Sequence, residues 1–519
     1  MKKVRSHRES QAVELYPTIQ VCPSCQQPLE ERYRKRRWVV TLQGQLRVTS
    51  HVLECQTADC LQREVRYRPE NERALVLPGY TFGLDVVARV GQLRYGQQKT
   101  ITEIARQLSQ QGVSISVKEV QLLSEVYLAL IEASVADDEQ VLAELEKQGG
   151  VVLSIDGVQP EKGNEALWLV RDVLSGRVRA SRNLLSSASA ELESLLDEVI
   201  TLGIRICGVV SDKQESVCLA IERKLPGVPH QLCHYHYLRD VALPVCEADR
   251  GLKKRVKQKL RGVREIEVKW ANEGSPEAQV VSDYCLAVRT VMSEEGKYPL
   301  EPAGITLYDR VLQIKQSVES SLRTHASATL ERLATILSRV VVFVGEYARL
   351  VVAWSWIACL AQMLETAGSR QQASEQMLAY VRGLPREGDE QLKEIASHIE
   401  KLTAAFAPKL FAYVDEPLLP KTNNDLEVFI GQVKKDCRRV TGRKNTTAFI
   451  LREGRAVAIL LSLPSRSNWI EAFAAVDLRH FAERLAKLRR REERSKVWRI
   501  KRSLEVYLNR LELSWQSLE

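Results

Sequence analysis

Two cysteine pairs constrain this chain more than any other feature: Cys22-Pro-Ser-Cys25 and Cys55-Gln-Thr-Ala-Asp-Cys60. Between them lie two strand-like pieces, residues 37–42 and 46–50, with Gly44 as turn punctuation. Each short loop bends two thiolates toward one ion, and a hairpin brings the loops together, as a tetrahedral four-thiolate zinc site requires. Four thiolates leave no open position for water, so Zn2+ held by Cys22, Cys25, Cys55 and Cys60 is expected to be structural. A module this small has little core, and the metal is expected to supply much of its folding energy. The remaining cysteines do not suggest disulfides. The total of eleven is odd, the chain is long and no secretory leader is visible, which points to a reducing cytoplasm.

A chain of 519 residues exceeds one ordinary core. Changes of pattern divide it into a zinc ribbon over 1–75, a helical segment over 76–149 and an α/β segment over 150–240. A helical insertion over 241–415, a return to the α/β core over 416–475 and a basic helical tail over 476–519 follow. Lys and Arg outnumber Asp and Glu by 75 to 66, and the surplus is clustered. Arg34, Lys35, Arg36 and Arg37 stand in one run, and residues 484–502 hold ten bases against two acids. Such surfaces concentrate polyanions. The longest uncharged apolar stretch, residues 350–364, is too short to span a bilayer, so no membrane partner is expected.

The segment from 76 carries a helix-turn-helix pattern. Thr100-Ile-Thr-Glu103 is a capping box ahead of an amphipathic helix, Gly112 ends it, and Ser116 starts a second helix bearing Lys118. That helix is expected to continue to Gln148. At residue 151 the periodicity changes. Residues 151–155 form an apolar run ending at Asp156-Gly157, and two more strands, a helix and a buried-type strand ending at Asp212 follow. Another helix and a strand at 229–233 complete the order βββαβαβ, which is the layout of the RNase H-like fold, with its first and fourth strands adjacent. Acids ending those two strands are expected to face one another. Asp172 and Asp240 are reserve acids, though neither ends a clean apolar strand.

Phosphodiester transfer needs an activated oxygen and an offset to the charge on phosphate, and two divalent ions supply both. Mg2+ prefers hard oxygen ligands, so several carboxylates must converge from rigid elements. Asp156 and Asp212 meet that need from two strands; a third acid is expected on a helix packed against the sheet.

Ser-Ile-Asp156-Gly, Gly-Val-Val-Ser-Asp212-Lys-Gln, Cys233-His-Tyr-His236 and Thr422-Asn-Asn-Asp-Leu-Glu427 together resemble the DDE transposases of bacterial insertion sequences. The likeness is to those with a helical insertion between the second Asp and the Glu, related to Mutator- and hAT-type enzymes. It spans roughly residues 150 to 460. The resemblance implies an RNase H-like core binding two Mg2+ (or Mn2+) ions, hydrolysis at the element's ends, and strand transfer by the freed 3′-OH. It implies that Asp156 bridges both metals, that Asp212 and Glu427 each bind one, and that Cys233 and His236 brace the core. Asp425, two residues before Glu427, is the competing third acid. A zinc site of Cys233, His234 and His236 is a lesser alternative, since three ligands within four residues crowd one ion. Lys434, Lys435, Arg438, Arg439, Arg443 and Lys444 follow Glu427 closely and are candidates for phosphates flanking the cut. The resemblance also implies double-stranded DNA partners, namely terminal inverted repeats and target, a homodimer or larger assembly on DNA, and a nucleoid-associated protein of the bacterial cytoplasm. The competing expectations are a silent or domesticated DNA-binding derivative and an RNase H-fold nuclease that cuts without joining. Trp354 and Trp356, within the insertion, are read as core residues.

Overall fold

The computed structural model describes residues 10–136, 147–158, 165–270, 273–385, 388–442, 445–463 and 469–516. It is mixed α/β, mostly helical, and forms two compact units: Met1–Ile206 with Asn424–Glu519, and Cys207–Asn423.

The first unit opens with β1 (Ser10–Leu15), β2 (Glu30–Thr41), β3 (Gly44–Glu54) and β4 (Arg66–Tyr67). Strands β2 and β3 are an antiparallel hairpin, β1 runs parallel to β3 on its other side, and β4 adds to β3. Gly44, at φ +131°, makes the hairpin turn in a region closed to other residues. His51 is buried on β3 and bonds Glu14 of β1 at 2.7 Å and Glu31 of β2, so one imidazole ties three strands together.

Helices α1 (Glu72–Leu75), α2 (Leu84–Gly91), α3 (Ile101–Gln110) and α4 (Val117–Ala136) follow. The expected capping box is formed: Glu103 N–H donates to Thr100 Oγ1 at 3.3 Å, and Thr100 N–H to the Glu103 carboxylate at 2.7 Å. Ser116 and Glu119 repeat the exchange ahead of α4, at 3.2 and 2.8 Å. Helix α4 is exposed at its start but buried all round from Val126 to Ile131, because α2 packs on it. Gly91 permits that approach, since a Cβ there would stand 2.2 Å from the Tyr127 ring. The expected continuation of this helix toward Gln148 falls mostly on 137–146, outside the described residues.

Strands β5 (Val151–Val158), β6 (Ala166–Asp172) and β7 (Val178–Leu184) form an antiparallel meander, followed by α5 (Ser189–Ile200). The sequence put the end of the first of these strands at Asp156-Gly157. The strand instead runs on, because Val158 is buried and pairs with Leu167. Gly157 lies under Trp168, whose ring would stand 3.0 Å from a Cβ at that position.

The second unit contains β8 (Ile206–Ser211) and β9 (His230–Leu232), which pair in parallel, with α6 (Glu215–Lys224) between them. Then come α7 (His234–Val241), α8 (Leu243–Lys259), α9 (Val263–Trp270), α10 (Pro276–Ser293) and α11 (Ala303–Thr324). Helices α12 (Ala328–Ser338), α13 (Val344–Glu365), α14 (Arg370–Arg382), α15 (Glu390–Phe406) and α16 (Ala412–Asp415) complete it. They share one apolar cluster, which takes in buried Trp356 and packs Trp354 at its edge, as expected of core residues.

The chain returns to the first unit with α17 (Asn424–Thr441), α18 (Thr447–Ser462), α19 (Trp469–Ala475), α20 (Leu478–Arg502) and α21 (Leu504–Gln516). Helix α18 lies on α4, where Arg455 meets buried Glu132 at 3.5 Å and Glu453 accepts from Tyr95 at 3.1 Å. The segment from 476 is not all tail. Phe481, Leu485 and Leu488 recur at helical spacing among the bases and are buried, which places the first turns of α20 in the core.

Candidate functional site

The four paired cysteines come together. Their sulfurs lie within 4.8 Å of one another, with Cys22 to Cys60 at 3.6 Å and Cys25 to Cys55 at 3.5 Å. A thiolate tetrahedron with metal–sulfur bonds of about 2.3 Å has edges of about 3.8 Å. A disulfide needs about 2.05 Å, so these are separate thiols placed for a metal. Local backbone explains the placement. Gln26 adopts φ +57°, donates to Cys22 O at 2.9 Å, and lets Cys22 N–H reach Gln27 O at 2.8 Å, which folds the first pair into a tight knuckle. In the second pair, Gln62 N–H donates to Cys60 Sγ at 3.4 Å. The backbone N–H of Gln27, helped by the Thr57 hydroxyl, lowers the Cys25 thiol to about 6, so the thiolate form is favoured at neutral pH. The cluster is compatible with structural zinc binding in a ribbon.

In the first unit, Asp156 sits half-buried in β5, directly opposite Leu169. Its Oδ1 accepts from Gly157 N–H at 2.7 Å. Side chains alternate along a strand and paired residues share a face, so Asp156 stands on one face with Ser154 and Val158 of β5 and with Leu167, Leu169 and Arg171 of β6. That face is covered by α17. Val158, Leu167 and Leu169 share a buried cluster with Leu426, Phe429 and Ile430 of that helix, and α17 packs on β5. Glu427, half-buried, lies in the first turn of α17. Asp425 is engaged elsewhere. Its carboxylate pairs with Arg171, whose guanidinium also lies 4.8 Å from the centre of the Phe429 ring. Burial pushes the Arg171 pKa down, while neighbouring Asp172 opposes the shift.

The reserve acid Asp172 is fully buried and staples its own turn. It accepts from Val152 N–H at 3.2 Å, Leu174 N–H at 3.3 Å and Ser175 N–H at 3.2 Å. These bonds account for the carboxylate structurally.

In the second unit, Asp212 directly follows β8, and its Oδ1 accepts from Gln214 N–H at 3.1 Å, an Asx turn leading into α6. A hydrogen-bond chain that the sequence did not reveal braces this turn. Ser211 Oγ donates to the Asp212 carbonyl at 2.8 Å and lies 2.8 Å from His230 Nε2. Burial, reinforced by Lys409, lowers the His230 pKa to about 4, so the ring is neutral and Nε2–H donates to Ser211. The parallel register of β8 and β9 creates the chain, and its only trace in the sequence was a Ser closing one strand and a His opening the next. The other reserve acid, Asp240, pairs with adjacent Arg239 at 3.0 Å.

Cys233 caps α7 and is buried, with its sulfur accepting Asn423 N–H at 3.3 Å. His234 is buried and places Nε2 2.8 Å from the Leu410 carbonyl, which occupies that nitrogen and argues against a Cys233–His234–His236 zinc site. His236 is half-buried beside the Tyr235 ring.

The basic candidates differ in exposure. Arg34, Lys35 and Arg36 are exposed on β2, an edge strand, and Arg34 pairs with Glu31 at 2.6 Å. Arg37 is turned inward: its side chain is 15% exposed, pairs with Glu72 at 2.6 Å and reaches the Leu77 carbonyl at 3.3 Å. Lys118 is exposed in the first turn of α4. On α17, Lys435, Arg438 and Arg439 are exposed and Lys434 is half-buried; Arg439 also donates to Gln98 at 2.7 Å. Arg443 and Lys444 lie outside the described residues. No described helix is long and apolar enough to cross a membrane. In comparisons with known proteins, no family model matches this chain, and no curated protein matches it either.

Proposed function

We propose that this chain is a DNA transposase of the DDE type, in which Asp156, Asp212 and Glu427 hold two Mg2+ ions in an RNase H-like core. The observation that carries the reading is the cover of α17: the helix bearing Glu427 lies over the sheet face to which Asp156 belongs. The order of three antiparallel strands, helix, strand, helix, strand supports it, with one acid in β5 and another directly after β8. The pairing of Asp425 with Arg171 favours Glu427 as the third carboxylate.

When bound, two divalent ions activate the attacking oxygen and offset charge on the scissile phosphate. The protein's part is placement. Strand β5 fixes Asp156 by its register with β6, the Asx turn fixes Asp212, and the packed first turn of α17 fixes Glu427. Lys435, Arg438 and Arg439 on the exposed side of α17 are suited to phosphates beside the cut. Helices α3 and α4 are read as a helix-turn-helix, because Lys118 stands on the exposed N-terminal turn of the second helix. Arg34, Lys35 and Arg36 add phosphate contacts from the ribbon.

The test is cleavage of DNA bearing the element's inverted repeats in Mg2+ or Mn2+, with binding measured in parallel. Asp156→Ala is expected to abolish cleavage and leave binding intact. Undiminished cleavage by that variant removes the proposal.

A further inference from the structure

Helix α21 is the least supported helix of the first unit. None of its residues is buried, yet it carries Leu504, Val506, Leu508, Leu511, Leu513 and Trp515, with Leu504 55%, Leu508 46%, Leu511 49% and Trp515 78% exposed. A helix shorter than about 12–15 residues is marginal in water, and in proteins helices are held mainly by packing of an apolar face. The apolar positions 504, 507, 508, 511 and 515 follow the i, i+3, i+4, i+7, i+11 pattern of one continuous stripe. The stripe needs a partner.

We propose that α21 packs antiparallel against α21 of a second copy of this chain, about a two-fold axis between Tyr507 and Leu508. This surface does not depend on the catalytic reading. The axis sets Leu504 against Leu511 and Tyr507 against Leu508, and it sets Glu505 against Arg510 twice per dimer. One patch thus complements itself in both shape class and charge, as a two-fold interface demands. A parallel pair instead matches Glu505 with Glu505 and Arg510 with Arg510, which is repulsive. Other occupants fit less well. The helix carries Glu505 and Glu512 against a single Arg510, so neither an anionic lipid surface nor a nucleic acid is matched.

The experiment is sedimentation equilibrium of the full chain, with circular dichroism to confirm folding. Wild type is expected at twice 58.8 kDa in the micromolar range. Leu508→Glu abolishes the dimer. Glu505→Arg and Arg510→Glu each weaken dimerisation by about tenfold or more, since each reversal places like charges together at two points. The double variant Glu505→Arg/Arg510→Glu restores it toward wild type. A wild-type chain that sediments at 58.8 kDa up to about 100 μM, weaker than any ordinary specific dimer, overturns the proposal. So does a dimer indifferent to the single reversals, or a double variant no better than either single.

Discussion

Arg171 sits at the end of β6 with its side chain 12% exposed, and its guanidinium reaches Asp425, the Phe429 ring and, through Nε, the Gly176 carbonyl at 2.8 Å. Two acids that the sequence left in competition are separated by this one cation. Asp425, with 54% of its side chain exposed, serves the pair, while Glu427, half a turn on, faces differently on the helix. Asp425→Asn is therefore expected to leave Mg2+-dependent cleavage within about threefold, because only a partly screened pair is lost. Glu427→Gln is expected to lower cleavage at least about a hundredfold, because a metal ligand is lost. Single-turnover rates of both variants check this, and the reverse order would transfer the third role to Asp425. The sequence showed the acids but not the choice, since Arg171 lies far from both along the chain. It likewise showed Arg37 as one base in a basic run, while the fold spends that residue on Glu72. Local spacing carries no information about such distant partners. It does carry information about Cys22, Cys25, Cys55 and Cys60, whose pairs fold within a few residues and whose joining hairpin is short.

Helices α2 and α4 meet at Gly91, where two effects oppose each other. In an isolated helix Ala is favoured over Gly by about 1 kcal/mol. In this contact a Cβ would stand 2.2 Å from the Tyr127 ring. That ring is itself held, stacked on Tyr95 at 5.9 Å and edge-on to Phe473 at 5.5 Å. Overpacking costs of about 1–3 kcal/mol exceed the propensity gain. Gly91→Ala is expected to destabilise the first unit, lowering its thermal midpoint by a few degrees in calorimetry; a raised midpoint would show that the ring moves aside easily. At this scale the sequence was read well where the signal was local. Thr100 and Glu103 form their box, and Ser116 starts α4 as expected. The ends of β5 and the fate of the basic tail were less legible. Val158 and Phe481 belong to patterns that only pairing and packing complete.

The two units rest on unequal foundations. The second has an extended apolar cluster, whereas the cysteine knuckles of the first enclose little more than Cys22, Leu29, Leu53 and Cys55. Structural zinc contributes about 10–16 kcal/mol of apparent binding energy in small modules, ample to order such a core. One zinc per chain is expected by metal analysis, and none in Cys22→Ser. Hydrogen exchange should then rise across β1–β4 while the second unit, Cys207–Asn423, keeps its protection. Full metal content in that variant would refute the site.

The first unit is also discontinuous: it is left at Ile206 and resumed at Asn424. On the ribosome this imposes a wait. At about 5–20 residues per second, the intervening segment of roughly two hundred residues takes about 10–40 s to emerge. Throughout that time Leu167 and Leu169 lack Leu426 and Phe429, and α4 lacks Phe473 and Phe481. The nascent chain therefore carries a half-built apolar face while its middle folds, and its expression in soluble form should depend on slow synthesis or on a chaperone that shields that face until the C-terminal helices arrive.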